Sequence, residues 1–170
     1  YDPMEIVVTR NTTYILISHI NDSYRRIYTD GRDWPKPEEV EPTYAGYSLG
    51  KWVDENGDGK YDVLEIETRY MKGPRALEST GLPLHDDNQT VVKERIYLDK
   101  NDPNTIWNDI TLIDNALVKP WTLHKKGVRT KSDRPVWPSE VCPEHNSLIR
   151  VGKEAYFISA EGLLMPAKKD

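Results

Sequence analysis

Thr90–Asp99 reads TVVKERIYLD and Thr105–Asp114 reads TIWNDITLID, with the turn-forming run Asn101-Asp102-Pro103-Asn104 between them. Both segments are short, rich in β-branched and aromatic residues, and bounded by turn residues, so they predict a β-hairpin. Strand side chains alternate, which puts Val92, Ile96 and Leu98 on one face of the first strand. The pattern recurs in both directions along the chain. Tyr61–Arg69 (YDVLEIETR) sets Leu64 and Ile66 against Glu65 and Glu67. Glu5–Thr9, Thr13–Ile20, Arg25–Thr29 and Tyr44–Val53 read as strands before it, and Trp121–Thr130 after it.

The connections are equally legible. Trp34–Pro42 is rich in Pro and Glu and predicts an irregular surface loop. Lys72–Gln89 contains Gly73-Pro74 and Gly81-Leu82-Pro83, so it predicts a long loop with a helical turn near Ala76–Glu78. Ser132–Pro143 carries three prolines, Ser139–Asn146 suits a short helix, and Leu148–Val151 pairs with Ala155–Ser159 across Gly152-Lys153. No segment sustains a 3.6-residue apolar period. The expected fold is therefore all-β, an antiparallel lipocalin-like (calycin-type) barrel with short helical turns. It forms a single domain over 1–170, with the main barrel in 1–131 and the Pro-rich loop, short helix or hairpin and peripheral tail in 132–170. An immunoglobulin-like sandwich is disfavoured because its Cys…Trp…Cys pattern is missing.

Composition narrows the function classes. The 170 residues carry 23 Lys+Arg against 28 Asp+Glu, a net charge of −5, whereas phosphate backbones select a basic face. Nucleic acid is thus not an expected partner. Mean hydropathy is −0.71 and no long apolar run occurs, so no membrane span is expected. One Cys rules out an internal disulfide. The chain starts at Tyr1 without an initiator Met, which leads to the expectation of an exported protein whose signal peptide has been removed. Three sequons, at Asn11, Asn21 and Asn88, would matter only in a eukaryotic secretory pathway. Ten Tyr and five Trp stand against one Phe. Such rings, apolar with a polar tip, suit a partly wet barrel interior or the shielding of sheet edges.

Asp54–Glu65 (DENGDGKYDVLE) matches the calcium-loop pattern D-x-[DN]-x-[DN]-G-x₅-E in full. Asp54, Asn56 and Asp58 supply oxygens on alternate residues and Gly59 permits the turn. Lys60 offers its carbonyl, Asp62 ligates directly or through water, and Glu65 closes the shell. The flanks look like strands, so an EF-hand switch is rejected while structural Ca²⁺ is kept as an expectation. Turns favour Asp, Asn and Gly in any case, and an ordinary hairpin tip is the alternative.

Among polar groups, Glu94 shares a strand face with Val92 and Ile96, and a carboxylate there needs a partner or a raised pKa. Arg26 and Tyr28 share a face of their strand, as do Asp109 and Thr111 on theirs. Glu94, Arg26, Tyr28, Asp109 and His124 are therefore candidates for one pocket, with Glu94 or His124 as acid–base group. In the competing reading Glu94 pairs with Arg95 or Arg26 on the outer surface and Asp109 caps a turn or bulge. Cys142 and His145 could share a soft metal with His19, His85 or His124, but a short helical turn explains that segment equally well.

Arg26-Ile27-Tyr28-Thr29-Asp30-Gly31-Arg32, Pro42–Trp52 (PTYAGYSLGKW), Asp62–Thr68 (DVLEIET), Lys119-Pro120-Trp121-Thr122 and Val141–Asn146 (VCPEHN) resemble a large family of small exported bacterial proteins. The resemblance covers most of the chain and brings no established activity with it. It implies a periplasmic or secreted location. It also implies that relatives join the Trp52 and Leu64 strands by a shorter acidic hairpin, so a calcium loop here would be a stabilising elaboration. Its family-like polar residues are Arg26, Tyr28, Asp30, Arg32, Glu94, Arg95 and Asp109.

The function expected from the sequence is binding of a small organic ligand, or a protein partner, by an exported barrel with a calcium-stabilised hairpin. One rival is a lyase, isomerase or hydrolase in the barrel cavity. Another is an accessory subunit of an exported or periplasmic complex. Assembly into a homo-oligomer is compatible with each.

Overall fold

The computed structural model describes residues 4–19, 21–77, 82–131, 148–158 and 164–166. Ten strands precede the C-terminal region: β1 (Met4–Val8), β2 (Thr12–His19), β3 (Asn21–Tyr28), β4 (Tyr47–Val53), β5 (Val63–Arg69), β6 (Arg75–Leu77), β7 (Leu82–Leu84), β8 (Val91–Leu98), β9 (Thr105–Ile113) and β10 (Trp121–Val128). Three more follow: β11 (Leu148–Val151), β12 (Glu154–Ile158) and β13 (Leu164–Pro166). The single 3₁₀ turn among the described residues is Pro37–Glu39.

The main sheet has eight strands in the order β1-β2-β3-β4-β5-β8-β9-β10. It is strongly curled into a half-barrel. Among the described residues β1 and β10 each have one neighbour, so the curl does not close on itself. The expectation of uniformly antiparallel pairing is corrected at one place. β3 and β4 run parallel, joined only at Ile27↔Ser48 and Tyr28↔Leu49. The reason lies in the connection: Asp30-Gly31 ends β3, and the proline-rich 32–42 stretch carries the chain over the surface, so no tight hairpin can form. The expected helical turn near Ala76–Glu78 is also corrected, because Arg75–Leu77 pairs with Leu82–Leu84 as a two-stranded ribbon. The predicted pairing after Gly152-Lys153 is present, with Val151 opposite Glu154, and β13 adds a third strand. The proposed short helix at 139–146 lies outside the described residues.

The two faces of the sheet differ sharply. Ile15, Ile27, Leu64, Ile66 and Ile96 form one buried cluster on the inner face, flanked by Ile6, Ile17, Trp52 and Ile106. Curling brings these strands together, and small residues at the bend allow it. A Cβ on Gly50 would lie 2.7 Å from Ile27 Cγ2 and 3.4 Å from Leu64 Cδ1, so the two side chains meet over that glycine. Trp52 closes the same bend by donating its indole N–H to Thr13 Oγ1 at 3.2 Å. A second cluster, Met71, Leu84, Val92 and Leu112, is covered by Leu82 and Trp121. There Asp114 is buried and fully employed. It accepts the His85 and Ala116 amides and the Thr90 hydroxyl at 3.0, 2.7 and 2.5 Å.

Candidate functional site

Strand alternation separates the sequence candidates. Glu94 is on the inner face beside Ile66, whereas Arg26, Tyr28, Asp109 and His124 are on the outer face. The single pocket expected for all five is thus corrected: Glu94 alone has the opposite parity and turns its side chain inward, although its strand runs along the same groove as Asp109, while Arg26 and Tyr28 line a separate slot. The competing expectation of a surface pair with Arg95 or Arg26 is corrected as well. Glu94 is buried and bonded to Arg25, whose Nη1 and Nη2 donate to its two oxygens at 3.1 and 2.6 Å. Asn108 Nδ2 adds a bond at 3.0 Å, and Arg25 Nη2 also donates to Thr68 Oγ1, itself 2.8 Å from Ser48 Oγ. Burial pushes the Glu94 carboxyl up, but the Arg25 charge and hydrogen bonds, Asn108 and Lys125 together hold it below the ordinary value. A carboxylate held ionised in this way is a structural cross-brace and a poor proton donor.

On the flat of a sheet β3 and β8 would stand three strand spacings apart, about 14 Å, so the Arg25–Glu94 contact ties the two halves of the curl together.

The outer face is polar and aromatic, and it holds a groove of about 640 Å³. Trp34, Lys51, Glu67, Arg69, Arg95 and Asp109 are among its walls. Its charges are paired along the ladder. Lys51 meets Glu65 at 2.9 Å, Arg69 meets Glu67 at 2.5 Å, Lys93 reaches Glu67 at 3.8 Å, and Arg95 pairs with Glu55. At one end an aromatic–guanidinium stack is built from the RIYTDGRDW segment. Arg32 lies 3.8 Å over Tyr28, Tyr28 is 5.1 Å from Tyr47, and Trp34 packs against Tyr47 and Tyr70 with Arg69 4.3 Å over its ring. Arg32 is fixed by a forked bond to Asp30 at 2.9 and 2.7 Å, which lowers the Asp30 carboxyl to about 2.

At the other end Asp109 bonds His124 Nδ1 and accepts the Tyr97 hydroxyl at 3.1 Å. Trp107 stacks on the imidazole at 4.2 Å and donates its indole N–H to Asp99 at 2.8 Å, holding that carboxyl below its usual range. Burial and the bond to Asp109 raise the Tyr97 phenol. The result is an oriented imidazole beside the groove, one strand beyond the wall that Asp109 forms.

The Asp54–Asp62 loop caps the β4–β5 hairpin next to Arg95. Asp54 Oδ1 accepts the Gly57 and Asp58 amides at 2.8 and 3.1 Å, and its Oδ2 accepts Gly59 at 2.8 Å. Gly57 and Gly59 have φ of +72° and +85°, a left-handed backbone that disfavours side chains. Asp62 accepts the Glu55 amide at 3.1 Å. Five of the six expected calcium positions, Asp54, Asn56, Asp58, Lys60 and Asp62, are therefore gathered at this tip, while Glu65 lies in β5 and pairs with Lys51. Among the described residues no three His, Cys, Asp or Glu side chains converge as a metal would require. Asp54 Oδ1 is filled by its two amides, whereas Asp54 Oδ2, Asn56 Oδ1, Asp58 Oδ1 and Asp62 Oδ1 each accept one amide and keep a further lone pair for a hard cation.

His85 is engaged by Asp86 and Asp87, both at 3.1 Å, and Cys142 and His145 lie outside the described residues. Sequence reasoning missed Arg25, Trp34 and Arg69. Arg25 was legible, since it alternates with buried Ile27. Trp34 was hidden by its proline-rich loop. Comparison with protein-family models, curated proteins and solved structures finds no match to this chain. Among the described residues no helix is long and apolar enough to cross a membrane.

Proposed function

We propose that the outer-face groove binds a small polar organic molecule and that the half-barrel is the frame that holds it. The observation that carries this reading is the groove itself. Its volume of about 640 Å³ falls within the roughly 300–1,000 Å³ of small-molecule sites. Its walls are side chains already fixed by mutual ion pairs, which favours a ligand carrying both donors and acceptors over a bare ion. On the inner face the Arg25–Glu94 ion pair, the one found there among the described residues, is committed to itself, and only Arg25 Nε and Asn108 Oδ1 are left without a partner. The reading does not require a lipocalin-type closure, because the ligand sits outside the curl.

Calcium enters the proposal as a stabiliser of the hairpin tip, held by Asp54, Asn56, Asp58, the Lys60 carbonyl and Asp62. Glu55 links that tip to Arg95 in the groove wall, so ordering the loop orders the arginine. A loop lacking its Glu65 ligand belongs with weak sites of Kd about 10⁻⁴–10⁻³ M, which operate outside cells.

The test is a thermal-shift screen of sugars, sugar acids, amino acids and dicarboxylates. Compounds that raise the melting temperature should lose their effect in Trp34→Ala and Arg95→Ala and keep it in Arg26→Ala. A screen without stabilisers, or one whose stabilisers act equally on all variants, defeats the reading.

The Asp109–His124 pair supports a second reading, in which the groove is an active site. Asp109 would orient the ring through Nδ1 and leave Nε2 to move a proton. Under that reading His124→Gln abolishes turnover of a groove ligand without weakening its binding.

A further inference from the structure

We propose that the seam between β3 and β4 is a second binding site, which takes an extended, acidic peptide segment of a partner protein. Eight residues of β3 pair with β2, but only Ile27 and Tyr28 pair with β4. Among the described residues, no strand pairs with the other edge of Asn21–Arg26.

The cause is local. The segment that would lie beside this edge is drawn to the far side of β4. Thr43 bridges Met71 there, Thr43 N–H donates to the Tyr70 carbonyl at 3.1 Å, and Lys72 N–H donates to the Thr43 carbonyl at 2.9 Å. Gly46 seals this course with φ +68°, where a Cβ would lie 2.7 Å from the Arg69 carbonyl oxygen. A slot of about 250 Å³ is left, lined by Tyr24, Arg25, Tyr28, Gly46, Tyr47 and Ser48 together with Arg26.

An unpaired strand edge inside a sheet presents alternating N–H and C=O groups that an extended chain satisfies by adding itself as a strand. Side-chain chemistry then selects the chain. Arg26 forms no ion pair among the described residues. Its neighbours are phenols: Tyr28 accepts from Nη1 at 3.4 Å, and the Tyr14 ring lies 5.9 Å away. By contrast Arg25, Arg32, Arg69 and Arg95 are each committed to a carboxylate. Tyr24 is 60% exposed beside it. Exposed Tyr24 and half-buried Tyr14 and Tyr28 surround the guanidinium, and such rings form rigid contact area at low entropic cost, as at protein-binding hot spots. The charge that complements this arrangement is a carboxylate on the incoming strand.

The experiment uses the full chain and a fluorescein-labelled octapeptide of alternating valine and glutamate. Comparison peptides replace glutamate by lysine or N-methylate alternate amides. Fluorescence anisotropy should show binding of the glutamate peptide, with at least about tenfold weaker binding of both comparison peptides and of Arg26→Ala. Arg26 is exposed, so that variant should keep the wild-type melting temperature, which is measured alongside. Hydrogen exchange should show protection gained at Asn21–Arg26. The proposal is overturned by absence of binding at millimolar protein, by equal affinity for the lysine peptide, or by indifference to Arg26→Ala. Protection appearing at Met4–Val8 or Trp121–Val128 instead, the outer edges of the sheet, overturns it as well. A deficit confined to Trp34→Ala and Arg95→Ala would assign the peptide to the groove rather than the seam.

Discussion

Replacing Glu94 by alanine removes one partner of the cross-brace inside the curl and leaves the Arg25 guanidinium without its counter-charge. The side chains of Arg25 and Glu94 are 23% and 6% exposed. Breaking a buried pair costs about 3–5 kcal/mol, and the partial exposure of Arg25 places the expected loss near the lower end, about 3 kcal/mol. For a chain of this size that corresponds to a fall in Tm of about 6–12 °C. Urea unfolding should show a lower midpoint at unchanged slope. Glu94→Gln, which keeps shape and some hydrogen bonding, should lose less. The double variant Arg25→Met with Glu94→Leu should recover most of the loss, because an apolar pair has no desolvation penalty. The pH dependence has a definite sign. The folded Glu94 pKa lies below its ordinary value, so its contribution is complete above the usual glutamate range near 4.5 and disappears as pH falls through the folded pKa. The wild type should therefore lose its advantage over Glu94→Gln only in acid. If Glu94→Ala costs less than about 0.5 kcal/mol, the pair behaves as a solvated surface bridge, and the argument for the curl is refuted.

Other expectations follow from the same structure. Chelation should lower the melting temperature and added calcium should restore it. At a hundredfold excess over Kd the stabilisation is about 2.7 kcal/mol, or about 5–10 °C. Asp54→Ala should abolish that response, and Glu65→Gln should leave it intact. Gly50→Ala should cost about 1–3 kcal/mol by overpacking Ile27 against Leu64, measured by the urea midpoint. Arg32→Ala should return the Asp30 carboxyl from about 2 toward about 3.9, as read by NMR titration.

Much of the main sheet could be read from the chain because its strands alternate cleanly. Leu64 and Ile66 against Glu65 and Glu67, or Glu94 among Val92 and Ile96, carry their facing in their spacing. What the spacing of single strands does not encode is which faces meet. Asp109 and Glu94 each looked inward-facing on their own strand, yet the register Arg95↔Asp109 and Glu94↔Ile110 puts them on opposite sides. The parallel step from β3 to β4 was hidden for a related reason. It depends on the course of a loop with no periodicity, and on the Thr43–Met71 bridge formed between residues far apart in sequence. Trp34 belongs to that same loop, so the aromatic stack at the groove's end was illegible although Tyr28 and Arg32 stood out singly. The calcium-type motif shows the converse limit. Its spacing is complete, but strand geometry after Asp62 delivers Glu65 to Lys51 instead of to the tip.

The central claim is that the working surface is the outer face of the half-barrel. It is tested most directly by backbone NMR of the ¹⁵N-labelled full chain, titrated with the strongest stabiliser from the small-molecule screen. The account predicts amide shifts concentrated at Leu49, Lys51, Glu67, Arg69, Arg95 and Asp109, with the side-chain methyl signals of the inner-face residues Ile27, Leu64 and Ile96, followed in a methyl-labelled sample, unmoved. Shifts centred on those inner residues, or none in the groove, would contradict it.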